Sequence, residues 1–98
     1  MKSGFKVYWT DFALTELENT VQYLESNFSE KELKTLAQEI EHTVSLISMN
    51  PMLFQESNTK KGVRKVVVSK YNNMYYHITK NRIEIISFFS NRQNSVKR

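Results

Sequence analysis

Cations gather in the second half of this 98-residue chain at spacings suited to holding a polyanion. Lys60, Lys61, Arg64 and Lys65 lie within six positions, and Arg92, Lys97 and Arg98 sit near the last residues given. Between these groups come Tyr75 and His77, two positions apart. On a strand they would share a face and offer an aromatic ring and an imidazole to a ligand. Residues 1–57 carry four lysines against nine acids, net −5, whereas residues 58–98 carry ten lysines or arginines against Glu84 alone, net +9. The overall +4 hides that split. An acidic first half and a basic second half point to a surface for a polyanion or an acidic protein. Phosphate contacts made by such cations would make binding strongly salt-dependent.

The elements that must position these residues can be read from hydrophobic period. Val63 to Phe89 is rich in β-branched and aromatic residues and is cut by polar breaks at Lys70–Asn73 and Lys80–Arg82. Three consecutive antiparallel strands are expected, with Met74, Tyr76 and Ile78 on a covered face and Tyr71, Asn73, Tyr75 and His77 on the open one. Gly62, one of two glycines, stands where a turn needs positive φ.

Ahead of that meander, Phe5–Trp9 reads as a short strand that needs a partner in it. Thr10 is a helix N-cap with Asp11 in the first turn. Ala13, Leu17, Val21, Leu24 and Phe28 form one apolar stripe running to about Asn27, leaving Glu16, Glu18 and Gln22 solvated. Ser29 and Glu32 read as a capping box. A second helix follows with Leu33, Leu36, Ala37, Ile40, Val44 and Ile47 on its stripe, stopped by Asn50-Pro51. So short a link makes the helices an antiparallel hairpin, and the sheet is the surface both stripes cover. His42 lies off the stripe and is expected in solvent. Phe54, in the loop 52–62, is expected at the edge of the core. The expected fold is α+β, β-α-α-β-β-β: an N-terminal strand and a helical hairpin packed on an antiparallel sheet, with a short basic C-terminal tail. One domain spans 1–98.

Bulk properties exclude several classes. With no cysteine there is no disulfide framework and no thiolate metal site, which fits a reducing, cytoplasmic setting. No apolar run approaches the roughly 20 residues needed to cross a bilayer, so no membrane role is expected. No cofactor or metal is expected either.

Several local signatures then fall in one order along the chain. They are the opening strand followed by Asp11-Phe12-Ala13-Leu14-Thr15-Glu16-Leu17, Tyr23-Leu24, Leu46-Ile47-Ser48-Met49-Asn50-Pro51, Arg64 opening a strand, Tyr76, and Ser90-Asn91-Arg92-Gln93. Together they resemble the RelE/ParE superfamily of toxins from bacterial type II toxin–antitoxin systems, over nearly the whole chain. The resemblance implies a cognate antitoxin that wraps and neutralises this protein, in a complex expected to be oligomeric. It also implies a fork. RelE-like members cut messenger RNA in the ribosomal A site, whereas ParE-like members block DNA gyrase and are not nucleases.

Metal-free RNA cleavage needs a base for the 2′-hydroxyl, an acid for the leaving oxygen and cations for the phosphate. By the resemblance Arg64 matches the arginine that clamps phosphate in nuclease members, and Arg92 the arginine common after the last strand. Lys60, Lys61 and Lys65 would add field, and Lys61 could act as a base. The catalytic candidates are therefore Arg64, Lys61 and Arg92. Target binding would involve Lys60, Lys61, Arg64, Lys65, Tyr75, His77, Arg92, Lys97 and Arg98. The departure is at Phe88-Phe89-Ser90, where many nuclease members of the family this chain resembles carry a histidine or tyrosine, although some work with an Arg/Lys-dominated site; serine has a poor pKa for proton transfer. Glu56 and His77 are the remaining groups that could move a proton. The incomplete set favours a ParE-like toxin, with a RelE-like ribosome-dependent endoribonuclease as the alternative.

Overall fold

A computed structural model describes residues 4–58 and 60–90. In chain order the elements are β1 (Lys6–Trp9), α1 (Asp11–Asn27), α2 (Glu30–Met49), β2 (Val63–Ser69), β3 (Asn72–Thr79) and β4 (Arg82–Ser90). The strands form one sheet in the order β1-β4-β3-β2. The meander β2-β3-β4 is antiparallel as expected. The first strand adds to it parallel to β4, Val7 opposite Ile83 and Trp9 opposite Ile85, so the sheet as a whole is mixed. Asn72 and Arg82, expected in the turns, are the first residues of their strands.

One face of the sheet is covered by the helical hairpin. Met74, Tyr76, Ile83, Ile85 and Phe88 from the sheet meet Ala13, Leu24, Leu36 and Ile47 from the helices in one core, all buried. Truncating a residue such as Ile47 to alanine would cost about 2–5 kcal/mol. Inward positions on β4 run Ile83, Ile85, then Phe88 and Ser90. The step from odd to even follows from a bulge, because Tyr75 pairs with Ser87 and Tyr76 with Ile85, leaving Ile86 extra.

Thr10 caps α1 by accepting from the Ala13 N–H at 3.2 Å, while its own hydroxyl donates to the Ile85 carbonyl at 3.1 Å. That pair fastens the helix to the end of β1 and to β4 together. Near the C-terminus of α2, the Phe5 N–H donates to the Ser48 carbonyl and the Ser48 hydroxyl returns a bond to the Phe5 carbonyl. Phe54 packs against the core edge, His42 is exposed, and Gly62 has φ +80, as the sequence indicated.

Four local readings are corrected. Ser29 precedes α2 but its side chain makes no capping bond; Glu32 N–H donates to the Ser29 carbonyl instead. Ala37 is exposed, while Thr20 and Thr43 are buried. Both hydroxyls donate to the carbonyl four residues earlier, Glu16 and Glu39, which removes the cost of burying them. Phe28 remains 39 % exposed against Tyr23. Glu16 is not solvated: its carboxylate accepts from Ser87 Oγ at 2.9 Å and from the Phe88 N–H at 2.7 Å. Pairing with β1 ends at Ile85, so the next stretch of that β4 edge needs acceptors, and Glu16 supplies one.

Candidate functional site

The cationic cluster divides between two faces and a turn. Arg64 stands opposite Tyr76 across β2 and β3, so both side chains leave the sheet on the helix-covered side. There Arg64 Nη1 donates to the Phe54 carbonyl at 2.7 Å, and Nη2 lies 3.3 Å from Met52 Sδ. The Tyr76 hydroxyl, fully buried, donates to the Pro51 carbonyl at 2.7 Å. Burial pushes the Tyr76 phenol above its ordinary value, opposed by the Arg64 charge and a backbone hydrogen bond at Phe54. The phenol therefore stays protonated and serves as a donor. Next to it, Glu56 forms a single antiparallel bridge with Arg64, and its own side chain is exposed. Arg64 thus holds the 51–56 loop onto the end of β2.

Lys60 and Lys61 are exposed in the turn that Gly62 closes before β2. Lys65 is exposed on the open face, directly opposite Tyr75. His77 shares that face but is already engaged. Its Nε2 lies 2.8 Å from Glu84 Oε1, while Arg82 donates to Glu84 Oε2 at 2.9 Å and stacks 4.7 Å from the Tyr8 ring centre. Hydrogen bonds from His77 first and Arg82 second hold the Glu84 carboxyl below its ordinary value. Tyr75 and His77 share the open face, as the strand alternation indicated; Lys65, grouped with Arg64 by charge, joins them there, and the sheet separates all three from Arg64. His77 does not approach Arg64: cross-strand partners share a face, and His77 pairs with Val63 while Arg64 pairs with Tyr76. Arg92, Lys97 and Arg98 lie outside the described residues.

Ser90, at the position where a proton donor would be needed, is 6 % exposed and pairs with Asn72. Four residues along β3 separate Asn72 from Tyr76, a distance of roughly 13 Å, so Ser90 does not reach Arg64. Of the groups expected to move protons, His77 and Ser90 lie away from the arginine, whereas Glu56 is its bridge partner. Lys60 and Lys61 are exposed in the turn, and Lys65 is exposed beside the Tyr75 ring.

Sequence reasoning missed the Tyr8–Arg82–Glu84–His77 network and the Glu16 contact. A signal for the first was present: a two-residue turn at Lys80-Asn81 pairs Thr79 with Arg82 and hence His77 with Glu84. The Glu16 contact depends on how α1 docks against β4, and no local pattern carries that.

No family model and no curated protein matches the chain. Solved structures do. The chromosomal ParDE TA system from P. aeruginosa matches with TM-score 0.75 and 14 % identity, covering 88 % of this chain and 95 % of that one. The E. coli DinJ-YafQ toxin-antitoxin complex matches with TM-score 0.63 and 8 % identity, covering 93 % and 97 %. The YoeB dimer from Staphylococcus aureus matches with TM-score 0.59 and 17 % identity, covering 89 % and 97 %. At such identities the likeness is one of fold, and near-complete coverage of both chains makes it a likeness of the whole domain. The chain has the fold of the ParE, YafQ and YoeB toxins.

Proposed function

We propose that this protein is the growth-inhibiting toxin of a type II toxin–antitoxin pair, and that it acts as ParE-like members do, by binding DNA gyrase without cutting RNA. The observation that carries the reading is the disposition of Arg64. Its guanidinium is spent on the Phe54 carbonyl, on the face opposite His77, with Ser90 far along the sheet. General acid–base cleavage needs its proton carriers within hydrogen-bond reach of the reacting atoms. A binding toxin needs only an exposed, charged surface, which Lys60, Lys61 and Lys65 supply.

The partner is a small antitoxin whose acidic, partly disordered segment folds on binding. Met49 and Met52 are 70 % and 66 % exposed where α2 passes into the loop, beside Leu46 and Leu53, and give such a segment adaptable apolar surface to cover.

The test is a supercoiling assay with purified gyrase. The reading expects inhibition that disappears when Lys60, Lys61 and Lys65 are changed together to glutamate in a protein that still folds. Full supercoiling at micromolar toxin would reject it. One observation favours the ribosome-dependent endoribonuclease as the second reading: Lys65 opposite Tyr75 sets a cation beside a stacking ring, an arrangement suited to single-stranded RNA.

A further inference from the structure

Two exposed methionines lie where α2 passes into the loop before β2. Met49 and Met52 are 70 % and 66 % exposed, whereas Met74, in the core, is 0 % exposed. An oxidant in solution must reach the sulfur to react with it, so the first two are open to oxidation and the third is shielded. What singles out Met52 among the described methionines is the contact of its sulfur with a cation. Arg64 Nη2 donates to Met52 Sδ at 3.3 Å in an exposed contact, while Nη1 of the same guanidinium donates to the Phe54 carbonyl at 2.7 Å. A thioether is a weak acceptor, so one arm of a charged donor fork meets a poor partner. Met52 also stands inside the segment that Tyr76 holds at Pro51 and Arg64 holds at Phe54.

We propose that Met52 is a modification site, oxidised by hydrogen peroxide to the sulfoxide, and that Arg64 responds by gripping the new oxygen. In the step, a sulfur lone pair attacks one peroxide oxygen and the O–O bond breaks. The sulfur gives up two electrons and keeps the attacked oxygen. The proton on that oxygen passes to the departing one, which leaves as water. Hydrogen peroxide is the only oxidant the balance requires.

The sulfoxide oxygen carries partial negative charge and accepts far better than the thioether it replaces. The methionine side chain is unbranched and turns readily, so a small rotation brings that oxygen to Nη2. A charge-assisted hydrogen bond then forms, roughly twice as strong as a neutral one. The loop is held more firmly to β2, and the apolar surface around Met49 and Met52 becomes polar at Met52. Sulfoxide reductases restore the thioether, which makes the change a reversible switch. It acts on the loop itself, whichever target the protein binds.

The experiment treats the intact chain and Met49→Leu with hydrogen peroxide, locates the added oxygen by mass spectrometry, and measures urea unfolding before and after. Met52→Leu and the double variant Met49→Leu, Arg64→Ala are treated in parallel. Met52 should be oxidised well before Met74. In oxidised Met49→Leu the unfolding equilibrium constant should fall by about three- to tenfold, the size of one hydrogen bond. That fall should be absent from Met52→Leu and from the double variant. Because Arg64→Ala removes a loop contact, a second readout uses Met49→Leu itself: the NMR signal of the Arg64 Nε–H should shift on oxidation. Oxidation of Met52 no sooner than Met74 would overturn the proposal. So would an unfolding constant that stays level or rises once Met52 is oxidised, an equal fall in the double variant, or an Arg64 signal that does not move.

Discussion

Arg64 and Tyr76 face each other across β2 and β3, and each donates to a carbonyl of the same loop, Arg64 to Phe54 and Tyr76 to Pro51. Two donors from neighbouring strands thus hold the segment that links α2 to the sheet. Arg64→Ala should destabilise the protein by about 1.5–3 kcal/mol, the range for a hydrogen bond from a charged group. Tyr76→Phe should cost about 1–3 kcal/mol, because the Pro51 carbonyl is left without its buried donor. Since both act on one loop, the double variant should lose less than the two losses added together. Urea unfolding at neutral pH measures all three; strict additivity would argue against a shared role.

The open face has its own acid-sensitive lock. The Glu84 carboxyl is held below its ordinary value of 4.5, chiefly by the His77 hydrogen bond and then by Arg82. For a lowered carboxyl the stabilisation is fully present above the unfolded value and is lost as pH falls through the folded value. Unfolding free energy should therefore drop below about pH 4.5, more steeply than in Glu84→Gln, which lacks this contribution at every pH. Identical acid limbs for the two proteins would exclude the network as a source of stability.

Glu16 covers part of the β4 edge that β1 leaves unpaired, through the Phe88 N–H and the Ser87 hydroxyl. Glu16→Ala should cost about 1.5–3 kcal/mol and speed exchange of the Phe88 amide with solvent. Glu18→Ala, on an exposed position of the same helix, is the control and should stay within about 0.5 kcal/mol of the parent. A Phe88 amide that exchanges at the parent rate in Glu16→Ala would remove the proposed contact.

In the turn between β3 and β4, Lys80 has φ +29, a left-handed conformation that a side chain disfavours by roughly 1–2 kcal/mol. Lys80→Gly should accordingly raise stability, by up to about 1 kcal/mol once the added freedom of the unfolded chain is subtracted. A lower melting temperature for this variant would show that the lysine is not strained there.

Much of this architecture could be read from period alone. The alternation from Asn73 to Ile78 sorted the faces of β3 correctly, because one face is buried and a slip would invert every residue. The helix ends followed from Thr10 and from Asn50-Pro51. What escaped is non-local. The bulge at Ile86 shifts which β4 residues point inward, and nothing in Ile85-Ile86-Ser87-Phe88 marks it. Threonines 20 and 43 break the apolar stripes only in type, since each satisfies its hydroxyl within its own helix. For the site, Arg64 and Lys65 are neighbours in sequence and were grouped by charge, yet a strand sends adjacent side chains to opposite faces. Charge counting cannot see that division, whereas the register decides it.

The claim that Arg64 anchors a loop and does not cleave RNA is tested most directly by primer extension on messenger RNA bound to programmed ribosomes. The intact protein and Arg64→Lys, which keeps the charge while shortening the fork, are compared after both are shown to be folded. No cuts are expected from either protein, under conditions where the intact protein still stops growth. Discrete cuts at the A-site codon, lost in Arg64→Lys, would contradict the account and make the protein a ribosome-dependent nuclease.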